Sequence, residues 1–356
     1  MKKRILWVTW HQTPYHDFLL DKMGKCFEME IIYLRQKLAS HPWTYADETK
    51  IISWDDKKAR RAIINKIKAD HYDLRVLVGW DHALTVFSAF FFILTNRPYF
   101  ILCDTPNVNK KRSFFRRLYH LLVVPIIVRN LTGVLVTGKI GEHNFKAIHG
   151  ENVNTVNFPF ATDIDFFKPS TYFDVAPVPT IITVGRLVNS HKGFDVSLHA
   201  IKKIRDRNPM LAFKFLIIGS GPDEGELVKL IEKNNLKDFV QLIGWQEPNQ
   251  MLSYYQQGYF YVHPSHFDPF PNTVLEAMAC GLPVIGSDGA GSVLERVKEG
   301  VNGFVFHDND VYQLSMLIEK FLQLPHEQVL QFKTAARQTA EEWTYQFNID
   351  QLNKLF

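Results

Sequence analysis

The sequence predicts an α/β protein built as two doubly wound, Rossmann-like domains facing each other across a cleft. Three observations carry this. At 356 residues the chain is long for one core and suits two. Short aliphatic, β-branched and aromatic runs alternate with longer amphipathic stretches from one end to the other, the pattern of parallel strands and crossover helices. Polar or glycine-rich segments follow those runs, where an open α/β sheet keeps its ligand loops. An apolar content of 46% and a charged content of 22% are ordinary for a globular protein. The net charge of +4 is too small to argue for nucleic acid without a recognition motif, and none is present.

Residues 1–11 start like a signal peptide, but the apolar run is short and no small-residue cleavage site follows. They read instead as a first buried strand, 5–10, leading into the loop His11-Gln-Thr-Pro-Tyr-His16-Asp17 and a helix. His11, His16 and Asp17 therefore stand at a strand's carboxyl end, facing a ligand crevice or forming a solvated loop. A second strand spans 30–34, and the irregular aromatic segment 36–56 either lines the acceptor side or packs on the surface. A helix over 57–69, a strand over 74–78 ending in Gly79-Trp80-Asp81, a buried helix over 83–95 and a strand over 99–103 follow, with Asp104 at the last strand's end. Residues 109–120 interleave Lys110, Lys111, Arg112, Arg116 and Arg117 with Phe114, Phe115, Leu118 and Tyr119, a basic amphipathic helix continued by the apolar run 121–128. No apolar stretch reaches the roughly 20 residues that span a bilayer. The cysteines Cys26, Cys103 and Cys280 are odd in number, scattered and free of CxxC spacing, which points to a reducing, cytoplasmic compartment. A strand at 133–137, a helix at 139–149 and a hinge around 157–169 close the first domain, which the sequence bounds at residue 165.

The second domain, 166–339, opens with a strand at 180–184 that ends in Gly185-Arg186-Leu187, and His191-Lys192-Gly193 open the next helix. Strands at 213–218 and 240–244 end in Gly219-Ser-Gly221-Pro and in Trp245-Gln246. Residues 259–288 read strand, loop, helix, turn, strand. Pro264, Pro269 and Pro271 forbid regular structure between 263 and 271. Asn272 is expected as the N-cap of a helix over 273–280, which Gly281 and Pro283 end. The first N–H groups of that helix lack intrahelical partners, so its start is an anion site. Asp268 and Glu276 flank it, and a carboxylate accepts hydrogen bonds from a vicinal diol. Acids around an anion site fit a diphosphate between two sugars. The end of the chain is helical in pattern, and the part from 340 to 356 is expected to return to the first domain.

The run Pro264-Ser-x-x-Asp268-Pro-Phe-x-Asn-x-x-Leu-Glu276-Ala-Met-Ala-Cys-Gly-Leu-Pro-Val-Ile, with Gly185-Arg186-Leu187, Lys192-Gly193 and Gly219-x-Gly221-Pro, resembles the donor-binding signature of glycosyltransferase family 4, retaining enzymes of the GT-B fold. The resemblance is dense in the second half and rests on strand order in the first. It implies that Glu276 holds a nucleotide ribose and Asp268 lies against the donor sugar, although the family carries Glu where this chain has Asp268. The usual Gly-Phe-Gly is Pro269-Phe270-Pro271 here, so phosphate contacts fall to the N–H groups of Asn272, Thr273 and Val274. Arg186 and Lys192 neutralise the diphosphate without a metal or other cofactor. Gly185, Gly219 and Gly221 let the backbone approach the nucleotide, and Trp245 stacks on the base or packs. Asp104 takes by strand order the place of a polar residue that reaches the sugar, or else caps the next element; His11, His16 and Trp80 fall on the acceptor side. The donor is then a UDP- or GDP-sugar, the acceptor a carbohydrate or a lipid-linked glycan, and the setting bacterial cell-surface polysaccharide or glycolipid synthesis. Lipid-linked acceptors favour an anionic membrane surface, at the inner face of the cell membrane, as the partner of 109–128, over an ordinary helix with a solvated basic face. The substitution of Asp268 for Glu motivates the alternative of a non-catalytic, nucleotide-sugar-binding subunit.

Overall fold

The computed structural model describes residues 1–35, 52–104, 113–170 and 178–356. The chain forms two compact units, Met1–Ala161 with Tyr345–Phe356, and Thr162–Thr344. The divisions fall after residues 161 and 344, where the sequence reading set 165 and 339.

The first unit holds a six-stranded sheet of β1 (Arg4–Thr9), β2 (Glu28–Tyr33), β3 (Leu74–Val78), β4 (Phe100–Cys103), β5 (Gly133–Val136) and β6 (Thr155–Asn157). Every pairing is parallel and the order is β2-β1-β3-β4-β5-β6. β1 shows why such a strand is apolar throughout: both faces of a parallel sheet are covered by helices. Leu6 and Val8 face the helices Arg60–Lys68, Ala83–Leu94 and Val124–Asn130 through Ile63, Phe92 and Ile127. Ile5 and Trp7 face the opposite layer, where Leu19 and Met23 of the helix Pro14–Cys26 meet Ile349 and Leu352 of Tyr345–Asn353. The order reverses between β1 and β3.

The second unit repeats the scheme with β7 (Thr180–Val184), β8 (Lys214–Ile218), β9 (Val240–Gly244), β10 (Phe260–His263), β11 (Val284–Ser287) and β12 (Gly303–Phe306). They are parallel in the order β12-β11-β10-β7-β8-β9. Phe260 and Val262 point into one apolar layer, with the helices Phe194–Arg207 and Val311–Leu322, and Tyr261 into the other, with Pro248–Gln257 and Asn272–Ala279. Here the order reverses between β7 and β10, which places the loops after these two strands side by side.

The basic amphipathic segment forms the helix Phe114–Leu122; Lys110, Lys111 and Arg112 lie outside the described residues. Its apolar and its basic residues are both exposed. Phe114, Phe115, Leu118, Leu121 and Leu122 are between 43 and 81% exposed, Arg116 and Arg117 are exposed as well, and no residue of the helix is buried. It is held through two half-buried residues: Tyr119 Oη donates to the Trp80 carbonyl, and the His120 ring meets Trp80 edge-on. Of the apolar run 121–128, only Leu121 and Leu122 continue this face. The rest enters a second helix, Val124–Asn130, whose Val124, Ile127 and Val128 are core residues. No helix among the described residues is long and apolar enough to cross a membrane.

Candidate active site

At the reversal point of the second sheet, β7 delivers Gly185 and Arg186, and the short helix Asn189–Lys192 delivers Lys192. That helix ends on Gly193 in the left-handed region, φ 59°. A Cβ there would stand 2.2 Å from the Pro264 carbonyl oxygen, so only glycine lets Lys192 lie this close to the loop after β10. The Lys192 side chain runs past Gly185, its Cδ 3.7 Å from where a Cβ of Gly185 would sit. Arg186 is exposed at the end of β7, and no ion pair to it is recorded among the described residues. The turn Gly219-Ser-Gly221 after β8 presses on the same loop. A Cβ on Gly219 would fall 2.0 Å from the Gly185 oxygen, and one on Gly221 2.4 Å from the Leu187 oxygen. Trp245 follows Gly244, whose carbonyl accepts from Gly219 N, and is half-buried beyond the edge strand β9.

The loop after β10 carries Asp268. Its backbone is pinned to the turn after β11: Asp268 N donates to the Gly289 carbonyl, and Gly291 N to the Asp268 carbonyl. Lys192 Nζ donates to Asp268 Oδ2, and His263 Nε2 lies 3.3 Å from the same oxygen. Burial alone would raise the Asp268 carboxyl; the Lys192 ammonium and His263 outweigh it and hold it below its ordinary value. Two residues on, the Phe270 ring receives the Arg296 guanidinium at 4.5 Å, and Trp343 takes its other contact at 4.7 Å. The three guanidinium nitrogens of Arg296 are buried without hydrogen-bond partners among the described residues, and burial lowers its pKa to about 9.

The helix after the loop spans Asn272–Ala279. The expected N-cap, Asn272, is instead its first residue, because Pro271, fixed at φ −62°, occupies the cap position. Pro271 has no side-chain acceptor, and the helix start carries no side-chain cap bond. The first-turn N–H groups of Asn272, Thr273 and Val274 are thus left for a ligand. Both polar atoms of the Asn272 side chain are buried without a partner among the described residues, and Val274 is packed in the core. One turn on, Glu276 Oε2 accepts from Tyr255 Oη at 2.9 Å; burial raises its pKa to about 7, against that hydrogen bond.

The structure therefore brings Gly185, Lys192, Asp268, Asn272, Thr273 and Glu276 to one end of one sheet, with Arg186, Gly219 and Gly221 beside them. His11, His16, Trp80 and Asp104 belong to the first unit. Asp104, exposed at the end of β4, accepts from Thr137 Oγ1 at 2.7 Å. His16 is buried beside Trp7, and burial followed by the neighbouring His11 lowers its pKa to about 4. Trp80 is buried against Phe145 and His149. Asp17 accepts from Tyr33 Oη at 3.0 Å, and burial raises it to about 6. Four participants escaped the sequence reading: Tyr255, Tyr261, His263 and Arg296. A histidine closing a wholly apolar strand just before Pro264 was the available signal for His263.

Residues 175–339 match the family model for glycosyl transferases group 1. The chain is 27% identical over 198 residues to a putative colanic acid biosynthesis glycosyltransferase, WcaL, of Escherichia coli, covering 54% of this chain and 47% of WcaL. It is 30% identical over 164 residues to an uncharacterized glycosyltransferase of Haemophilus influenzae, covering 46% and 45%. The chain thus spans about half the length of the curated relatives it matches. Among solved structures, Anabaena Alr3699/HepE in complex with UDP superposes with a TM-score of 0.79 at 17% identity, covering 99% of both chains. Residues 175–339 are thus similar to the glycosyl transferases group 1, and the chain's two parallel six-stranded sheets form a GT-B fold.

Proposed function

We propose that this chain transfers a sugar, with retention of anomeric configuration, from a nucleoside diphosphate sugar to a carbohydrate or lipid-linked acceptor in bacterial surface polysaccharide or glycolipid synthesis. The observation that carries the reading is the uncapped start of Asn272–Ala279 beside Lys192, Arg186 and the carboxyls of Asp268 and Glu276. The diphosphate lies on the helix start, and Arg186 and Lys192 stabilise the charge that grows as it departs. Glu276 accepts from the ribose hydroxyls, and Asp268 orients the hexose. Protein cations serve where other enzymes use a metal. The likeness to a putative colanic acid glycosyltransferase and to a protein solved with UDP supports the donor and the setting.

The test is nucleoside diphosphate release from a panel of donor sugars. Lys192→Ala and Glu276→Ala each lower turnover by about a hundredfold or more, as loss of charged transition-state contacts does; full activity in both would sink the reading. A donor at about 100 times its dissociation constant stabilises the protein by about 2.7 kcal/mol. Binding without turnover on any acceptor marks the non-catalytic subunit instead, a reading that Asp268, already engaged by Lys192 and His263, keeps in play.

The exposed helix Phe114–Leu122 is the membrane contact, at the cytoplasmic face. Phe114, Phe115, Leu118, Leu121 and Leu122 enter the interface while Arg116 and Arg117 meet anionic headgroups. Cosedimentation with anionic vesicles falls about tenfold or more in Phe114→Ser/Phe115→Ser, since each ring contributes on the order of 1 kcal/mol when partly buried; unchanged binding would remove the membrane from this account.

A further inference from the structure

We infer that His263 is a positioning residue for Asp268: one ring nitrogen is anchored by the Tyr261 hydroxyl and the other holds the carboxylate, so that the acid meets Lys192 and the donor in a single fixed rotamer. This rests on the donor-site reading above and adds a residue that the reading does not contain. His263 ends β10 and is 1% exposed. Tyr261, two residues earlier, is on the same face of the strand, and the two rings stack with an interplanar angle of 27°. Tyr261 Oη lies 3.2 Å from His263 Nδ1, 2.9 Å from Thr273 Oγ1 and 3.3 Å from the Val184 oxygen. On the far side of the ring, Nε2 lies 3.0 Å from Ser265 Oγ and 3.3 Å from Asp268 Oδ2.

Charge decides the tautomer. The titratable groups facing the ring are Asp268 from the loop, Lys192 from the short helix before Gly193, and Tyr261 from β10 itself. Burial and Lys192 keep the imidazole neutral against the pull of Asp268, so it carries one N–H. Were that proton on Nδ1, the Nε2 lone pair would face an ionised carboxylate. With the proton on Nε2, the ring donates to Asp268, and Nδ1 faces the Tyr261 hydroxyl, whose one proton is shared among Nδ1, Thr273 Oγ1 and the Val184 oxygen. A line of contacts then runs from Thr273, in the first turn of the donor helix, through Tyr261 and His263 to Asp268. The helix start that takes the phosphate and the acid that takes the sugar are thereby held in register by β10.

The imidazole nitrogens of wild-type protein, read by long-range proton–nitrogen NMR, should show His263 protonated at Nε2 and bare at Nδ1 at neutral pH. An Nδ1-protonated ring overturns the inference whether or not a donor has been identified. In the donor-turnover assay, His263→Leu should lower kcat by about tenfold to a hundredfold with donor KM within about threefold, the loss of a bond to a charged group. His263→Gln, which keeps an N–H donor on that side, should recover about tenfold of it. The acid limb of the pH profile should move to higher pH in His263→Leu, because a contact that lowers the Asp268 carboxyl is gone. Equal kcat in the Leu and Gln variants, or a loss confined to KM, would refute the role. Lys192→Ala and Glu276→Ala run alongside: if both keep full turnover the donor-site reading fails, whereas if both lose it and His263→Leu does not, only this inference fails.

Discussion

The raised Glu276 carboxyl makes a prediction in which stability and ligand affinity move in opposite directions. Its pKa rises from an ordinary 4.5 to about 7 on folding, chiefly through burial. The fold therefore favours the protonated form. Below pH 4.5 both folded and unfolded chains carry the proton, and nothing is lost. As pH climbs toward 7 the unfolded chain gives up its proton first, and stability falls by up to about 3 kcal/mol. Glu276→Gln removes this dependence and leaves an amide oxygen that can accept from Tyr255. Urea unfolding should give wild type and variant similar stability near pH 4.5, with the variant ahead by about 2–3 kcal/mol at pH 8. Affinity should respond in the other sense. On the proposed role of Glu276, the ribose hydroxyls lose a charged acceptor, which costs about 1.5–3 kcal/mol, or about tenfold to a hundredfold in dissociation constant at pH 8. Wild-type affinity should itself weaken as pH falls below about 7. The reasoning fails if the stability difference does not change with pH, or if calorimetry finds donor affinity at pH 8 unaltered in the variant.

Gly193→Ala must place a Cβ in the left-handed region against the Pro264 carbonyl, so it should cost more than about 2 kcal/mol in denaturant unfolding; a loss below about 0.5 kcal/mol would mean the loop gives way. Arg296→Met should gain about 1 kcal/mol, because removing a buried, unpaired guanidinium outweighs two cation–π contacts. A melting temperature lowered by the substitution would show that the stacking on Phe270 and Trp343 is the larger effect.

The strands and the close backbone approaches of the second unit were legible because both are local. β-branched runs buried on two faces stay apolar without interruption, and glycine is demanded wherever one backbone touches another, as at Gly219 against Gly185. Asn272 misled because capping preference is weaker than the fixed φ of Pro271. His263 and Tyr255 went unread because their partners, Asp268 and Glu276, are reached only through tertiary packing. The residue pattern told that 109–120 is basic and amphipathic, but the helix Phe114–Leu122 is anchored through Tyr119 and Trp80, far apart in sequence. Segment 36–56 was read from composition alone, and its part from 36 to 51 lies outside the described residues.

The first unit is interrupted in sequence by the whole of the second. Ile349 and Leu352 fill its interior, and Asn348 Nδ2 donates to the Pro159 carbonyl at 2.7 Å. Strands β1 to β6 thus leave the ribosome well before the helix that closes their apolar layer, so the N-terminal sheet waits, with Leu19, Met23 and Phe158 partly uncovered, until the second unit has been made. Maturation of the two halves is coupled at translation: a nascent chain stalled inside the second half is missing the final piece of the first.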